Sequence, residues 1–342
     1  MTEIYSFIEK IARCESLSEA EASRLIQIVL LGGASPPQIA AILLGLRVKG
    51  ESVEEIYGAY RALSVKFQQH ILGYDVFDVC GTGSVNYSNL NVSTAVAFVA
   101  AGAGVKVAKH IDKTSVTPAG STEVLKKLGV NIEVSLQTSL KALEEANICL
   151  TSFPRYHNAM REILPVIKDL GIKNIFNLIG PLVNPIHCNN RLIGVYHPNV
   201  AKKIAEVLIK IGAKSCWVVC GEDYTDEISI TGETSIVEIQ DGVIKEFTLH
   251  PSHAGFEVLK ERSELEGYDP IYNASRLYDL LRGEQSAFRE IVLLNAAAAF
   301  VINEKCRDLK DGVELAKRSI DSRDAYKALQ KLVEITNQEM DN

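Results

Sequence analysis

Three stretches of this sequence carry side chains whose types and spacing suit the handling of a phosphorylated ligand. The first is Gly81-Thr82-Gly83-Ser84, followed by Asn91, Ser93 and Thr94. Glycines let backbone amides approach an anion, a helix N-terminus adds partial positive charge, and hydroxyls donate further hydrogen bonds. No Gly-Lys-Ser/Thr follows, as a Walker loop needs, and Asn86 stands in place of the third glycine of a dinucleotide fingerprint, so ATP and NAD are unsupported. An ordinary strand-to-helix turn capped by Ser93 accounts for the same residues. The second stretch is Lys109, His110, Asp112 and Lys113 ahead of a Thr/Ser/Gly-rich loop at 114–121. Its lysines could supply local positive charge, and a solvated charge run is the alternative. The third is Asp226-Glu227, in a cluster with Glu222 and Asp223. Paired carboxylates are hard-oxygen ligands suited to Mg²⁺ shared with substrate phosphates, although composition alone also describes a solvated acidic loop. One phosphate-bearing substrate would give the three stretches a shared purpose.

The elements that must position these residues fall into two kinds. Ser18 with Glu21 is a capping-box signature, and Leu25, Ile26, Val29 and Leu30 then recur at helical spacing. Ser35-Pro36-Pro37 opens a second helix through Leu46, and a third spans about 52–63, so the opening is all-helical. After His70 the pattern becomes βαβ. Strands are expected at 75–80, 105–108, 148–152, 192–196 and 216–220, with helices between them such as 201–211. Asp241-Gly242 marks a late hairpin. The fold class is therefore α/β: a small N-terminal all-helical domain followed by a large α/β domain with a mainly parallel central sheet. Ligands of such sheets bind beyond the carboxyl ends of the strands, where the first two loops should converge.

The chain has 342 residues and a formal net charge of −7, so its surface offers no general attraction for nucleic acid or anionic lipid. Its longest apolar stretches, 94–108 and 291–302, are interrupted by Lys106 and Asn295 and are too short to span a bilayer; both read as buried core. The first residues include acids and show no secretory pattern, and the seven cysteines are scattered without a C-x-x-C pair. Reduced thiols and a cytoplasmic location are expected.

Taken in order and spacing, several segments carry a resemblance over nearly the whole length: LLGLRVKGESVEEI, GTG followed by NVSTA, VAKH, GSTEVLKKLG, HNAMREILPV, IFNLIGPLVNP, LIGVYHP and DEISITG. The sequence resembles the anthranilate phosphoribosyltransferase family, the tryptophan-pathway members of the glycosyltransferase group that also contains pyrimidine nucleoside phosphorylases. The resemblance implies a helical domain over 1–70 with a returning segment near 160–180, and a phosphoribosyltransferase domain over 71–342. It implies a homodimer through the helical domain; the charge and the apolar runs described above argue against a nucleic acid or membrane partner. The implied reaction displaces Mg-pyrophosphate from C1 of phosphoribosyl pyrophosphate by an aromatic amine.

Carried over by position, Gly81, Thr82, Gly83, Ser84, Asn91, Ser93, Thr94, Lys109 and Ser121 would hold the donor, and Asp226 and Glu227 its Mg²⁺. His110, Asp112, His157 and Ile167 fall at acceptor positions; His157 also reads as a helix-start residue packing on Pro154. The family's glycine loop, GTGGDG, is GTGSVN here, which puts Val85 where an acid is usual. KHGNR is KHIDK, so Ile111, Asp112 and Lys113 replace glycine, asparagine and arginine, and Pro118 replaces a lysine. The acceptor-binding arginine after Pro-Val is Ile167, and Lys168 is turned by about 100 degrees from it on a helix. A carboxylate acceptor is therefore expected to bind weakly. The rival readings are another acceptor or pentosyl donor, nucleoside phosphorolysis, and a non-catalytic paralog that binds nucleic acid or a partner protein.

Overall fold

Ser18 and Glu21 form the reciprocal cap that the sequence suggests: the Ser18 hydroxyl accepts from the Glu21 amide at 3.3 Å, and the Glu21 carboxylate accepts from the Ser18 amide at 2.8 Å. In the computed structural model, which describes residues 3–64, 69–83, 89–111, 119–152 and 160–338, this cap opens the second of four N-terminal helices. They are α1 (Glu3–Ala12), α2 (Glu19–Leu30), α3 (Pro36–Lys49) and α4 (Val53–Ser64). A buried ion pair ties them together. Lys49 meets Glu55 at 2.7 Å, and the remaining lone pairs of Glu55 accept from the Leu17 and Ser52 amides, each at 2.8 Å. Such saturation is what lets an ion pair survive burial.

The chain then alternates: β1 (Phe77–Gly81), α5 (Val92–Gly102), β2 (Val107–Ile111), α6 (Ser121–Lys127), α7 (Leu136–Ala146) and β3 (Ile148–Ser152). Two helices, α8 (Met160–Leu170) and α9 (Ile175–Ile179), pack back onto the N-terminal layer, α8 against α2 and α3 and α9 against α3 and α4. Next come β4 (Asn190–Gly194), α10 (Pro198–Ile211), β5 (Ser215–Gly221), β6 (Thr234–Gln240) and β7 (Val243–Leu249). Four helices close the described chain: α11 (Pro270–Leu281), α12 (Ala287–Ile302), α13 (Leu309–Asp321) and α14 (Asp324–Gln338).

The seven strands form one sheet in the order β3-β2-β1-β4-β5-β6-β7. β1 to β5 run parallel, and β6 and β7 are antiparallel. Strand order reverses at β1, which lies between β2 and β4, so a crevice opens beyond their carboxyl ends. Alternate residues separate two cores. Phe77, Val79, Leu192 and Trp217 pack with α5 and α12, whereas Ile193, Cys216 and Val218 pack with α10 and the N-terminal helices. The Ala-rich helices α5 and α12 are buried on nearly all sides, as their composition suggests. Asp241 and Gly242 take the positive φ angles, 50° and 81°, that a two-residue hairpin turn requires. All seven cysteines are thiols. Among the described residues no helix is long and apolar enough to cross a membrane.

β1 runs over Phe77–Gly81 rather than 75–80, and β2 and β4 are displaced from their expected ranges around buried polar residues. β2 starts later than expected and runs on through Lys109 and His110, and β4 starts two residues earlier and includes Arg191. Polar side chains read as strand ends, yet here they are buried and bonded. Arg191 is fully enclosed and donates to the Cys188, Pro181 and Leu182 carbonyls at 3.1 to 3.3 Å.

Candidate active site

The glycine turn leaves β1 at the crevice and is bound on three sides. The Thr82 amide donates to the Gly194 carbonyl at 3.0 Å, and the Thr82 hydroxyl accepts from the Tyr196 amide at 3.0 Å, which fastens the turn to the end of β4. Gly83 has φ of +80°, and its amide donates to Asp226 Oδ2 at 2.8 Å. A Cβ at Gly81 would lie 2.1 Å from that same oxygen, and one at Gly194 only 1.6 Å from the Asp226 carbonyl oxygen. Both positions must be glycine for the acidic loop to lie on the turn. From the third side, Lys173 donates to the Thr82 carbonyl at 2.9 Å.

The start of α5 meets β2 through Lys109, which is 2% exposed and donates to the Val79 carbonyl at 2.8 Å and Ser93 Oγ at 3.2 Å. Burial pushes the Lys109 ammonium down from its ordinary pKa, and the nearby acids Cys80, Asp78, Asp226 and Glu227 oppose that shift. The solvated-charge reading of Lys109 is thereby excluded. The capping reading of Ser93 also fails: Asn91 occupies the N-cap position, and Ser93 accepts from Lys109. Asn91 donates to the Ala119 carbonyl at 3.1 Å and accepts from Asn273 at 3.0 Å. Thr94 donates to Ser121 Oγ at 3.1 Å, which joins the starts of α5 and α6. His110 is buried in β2, its amide held by Asp78 Oδ1 at 3.0 Å, while Asn184 donates to the other oxygen of Asp78 at 3.0 Å.

The loop after β5 supplies the acids. Asp223 is taken up by Thr225, whose hydroxyl donates at 2.7 Å, and by Arg262, which also reaches Asn89 Oδ1 at 3.0 Å. Asp226 and Glu227 remain at the turn. Burial and the Asp226 charge push the Glu227 carboxyl well above the usual range, with Arg262 and Lys109 pulling the other way. A divalent cation would relieve that repulsion, so the donor set fits Mg²⁺. Asn295 sets the position of this pair. Its side chain accepts from the Ile228 amide at 2.9 Å and donates to the Ile228 and Ile291 carbonyls at 2.8 and 2.9 Å. Ser93, Gly194, Asp226, Glu227 and Asn295 line one small cavity. A larger groove of about 590 Å³ between α6, α11 and α14 has none of these residues in its lining.

Of the residues singled out in the sequence, the crevice brings together Gly81, Thr82, Gly83, Ser93, Lys109, Asp226 and Glu227, with Asn91, Thr94 and Ser121 one bond further out. Ile167 lies on α8, 5% exposed within the apolar cluster of the helical layer, while Lys168 faces solvent. Ser84, Asp112 and His157 lie outside the described residues. Lys173, Arg262, Asn273 and Asn295 were not anticipated. Only Asn295 carries a signal, as the polar break in an apolar helix.

The comparisons with known proteins follow the same lines. Residues 73–326 match the α/β domain model of the glycosyl transferase family, and residues 5–64 match its helical bundle domain model. The anthranilate phosphoribosyltransferase of Caulobacter vibrioides is 41% identical over 333 residues, covering 97% of each chain. The crystal structure of the Thermus thermophilus anthranilate phosphoribosyltransferase superposes with a TM-score of 0.88 at 33% identity, over 97% of this chain and 99% of that one. The Saccharomyces cerevisiae enzyme in complex with PRPP and Mg gives 0.89 at 26% identity, over 98% of both chains. The chain belongs to the anthranilate phosphoribosyltransferase family of the glycosyl transferases.

Proposed function

We propose that this protein moves the 5-phosphoribosyl group of phosphoribosyl pyrophosphate onto the amine of a small aromatic acceptor, with anthranilate, for which its relatives are named, as the acceptor. The C1–O bond to pyrophosphate breaks, a C1–N bond forms, and the amine gives up a proton. The observation that carries this reading is the meeting of three elements at the sheet's switch point: Ser93, Asp226 and Glu227 line one small cavity, and Asp226 accepts from the amide of Gly83 in its left-handed turn.

In this reading Gly81, Thr82, Gly83, Ser84, Asn91, Ser93, Thr94, Lys109 and Ser121 bind the donor. Asp226 and Glu227 would hold Mg²⁺, and the bound ion would supply positive charge toward the pyrophosphate leaving group. The chain's own part is alignment and electrostatics, since such a displacement needs an oriented nucleophile and a stabilised leaving group more than covalent help. Lys109 organises the site by joining β1 to the start of α5. His110, Asp112, His157 and Ile167 belong to the acceptor side. The helical domain, about 1–70 with 160–180 returning to it, serves a homodimer; exposed Leu44 and Val48 on α3 support that surface. The test is loss of anthranilate fluorescence with phosphoribosyl pyrophosphate and Mg²⁺. No transfer at millimolar concentrations of both substrates would sink the proposal.

A further inference from the structure

We infer that Lys173 is an additional donor-binding residue, a cation that the helical layer extends to the pyrophosphate side of the glycine turn. This rests on the donor reading given above. Lys173 lies between α8 and α9, the two helices that pack on the N-terminal layer, so its backbone does not belong to the sheet that carries the rest of the donor site. Its ammonium nevertheless reaches the turn, 2.9 Å from the Thr82 carbonyl oxygen, and a Cβ at Gly83 would lie 2.5 Å from it. The glycine turn is thus held between two opposite charges, Lys173 on one side and Asp226, which accepts the Gly83 amide, on the other.

Charge explains the use of such a group. The donor's pyrophosphate is strongly anionic, and the acids at this end of the sheet, Asp223, Asp226 and Glu227, add to the repulsion. Lys109 enters the site from β2, buried on Val79 and Ser93, and Arg262 bonds Asp223 and Asn89; Lys173 adds a cation from the helical layer. Lys173 keeps partial solvent exposure, and its ammonium reaches the backbone of the turn assigned above to the donor's phosphates. Its tie to Thr82 also links the helical layer to the donor turn, so donor binding and the seating of that layer are coupled through one side chain.

The experiment compares wild type, Lys173→Met and Lys173→Arg in two arms. In the kinetic arm, Lys173→Met should raise the KM for phosphoribosyl pyrophosphate about tenfold while kcat and the acceptor KM change less than about twofold, and Lys173→Arg should recover to within about threefold. An unchanged donor KM in Lys173→Met, or a parallel fall of kcat and both affinities with a lower melting temperature, would overturn the assignment. The second arm needs no turnover: inorganic pyrophosphate with Mg²⁺ should raise the melting temperature of wild type and of Lys173→Arg more than that of Lys173→Met. Equal stabilisation of all three proteins, or none in wild type, also overturns it. A wild type that binds Mg-pyrophosphate through Lys173 but transfers no phosphoribosyl group would refute the proposed reaction and leave this inference standing.

Discussion

The two sides of the proposed reaction are built differently. On the donor side, a glycine turn, a buried lysine and an acidic pair are locked by bonds of 2.8 to 3.2 Å that cross between β1, β2, α5 and the loop after β5. On the acceptor side, the position where the family resemblance implies arginine is Ile167, buried among apolar side chains of the helical layer. The described donor-side residues bond to one another through polar groups, while Ile167 packs among apolar side chains. Binding a diphosphate and selecting an acceptor should therefore be separable, each alterable without the other.

The largest expected effect tests the donor side. Asp226→Ala with Glu227→Ala should lower kcat/KM by about 10³-fold and abolish its dependence on Mg²⁺, because both transition-state charge and turn position are lost. Unchanged turnover with chelator present would break the comparison at once. The acceptor side is tested by gain. Asp112→Asn with Ile167→Arg should lower the KM for anthranilate by about tenfold to a thousandfold, since a charge-assisted hydrogen bond to a carboxylate contributes roughly 1.5–3 kcal/mol and a repelling charge is removed. The donor KM should not move; if it does, the two sides are not independent.

A smaller effect is expected one step behind the acids. Asn295→Leu should cost about 2 kcal/mol of stability by leaving the Ile228 amide and carbonyl unpaired, and should weaken apparent Mg²⁺ affinity several-fold. Titration of Mg²⁺ at fixed donor distinguishes this from simple unfolding. The smallest expected effect lies away from both sides. Glu51 is buried, its Oε1 has no hydrogen-bond partner among the described residues, and burial raises its carboxyl above the ordinary 4.5. Its ionisation penalty is absent below the unfolded-state value, grows as pH rises through that value and is complete above the folded one. Glu51→Gln should therefore stabilise the protein by about 1 kcal/mol near pH 8 and leave it unchanged near pH 4, with neither KM affected. Melting curves at the two pH values decide it.

Much of this architecture is legible in the sequence where the signal is local. The Ser18 and Glu21 cap, the Asp241-Gly242 turn and the apolar helices α5 and α12 all follow from neighbouring residues. The boundaries of β2 and β4 were not legible, because Lys109, His110 and Arg191 look like surface residues until their distant partners are known. The site shows the same division. Its glycines and acids announce themselves, whereas the bonds from Asn295 to Ile228, Arg262 to Asn89 and Lys173 to Thr82 join residues 67, 173 and 91 positions apart. No spacing rule reaches across such separations; the folded chain has to bring them together.

The antiparallel return of β6 has a practical reach beyond the chemistry. Its register pairs Thr234 with Gly221 at the cleft end and Gln240 with Ser215 at the far end, so the acidic loop is tethered at both of its roots while the Asp241-Gly242 tip emerges at the opposite end of the strands. For protein engineering, that hairpin tip is the natural port for a fluorophore, an affinity handle or new chain termini. The loop carrying Asp226 is the place where an inserted residue has the least room to be absorbed.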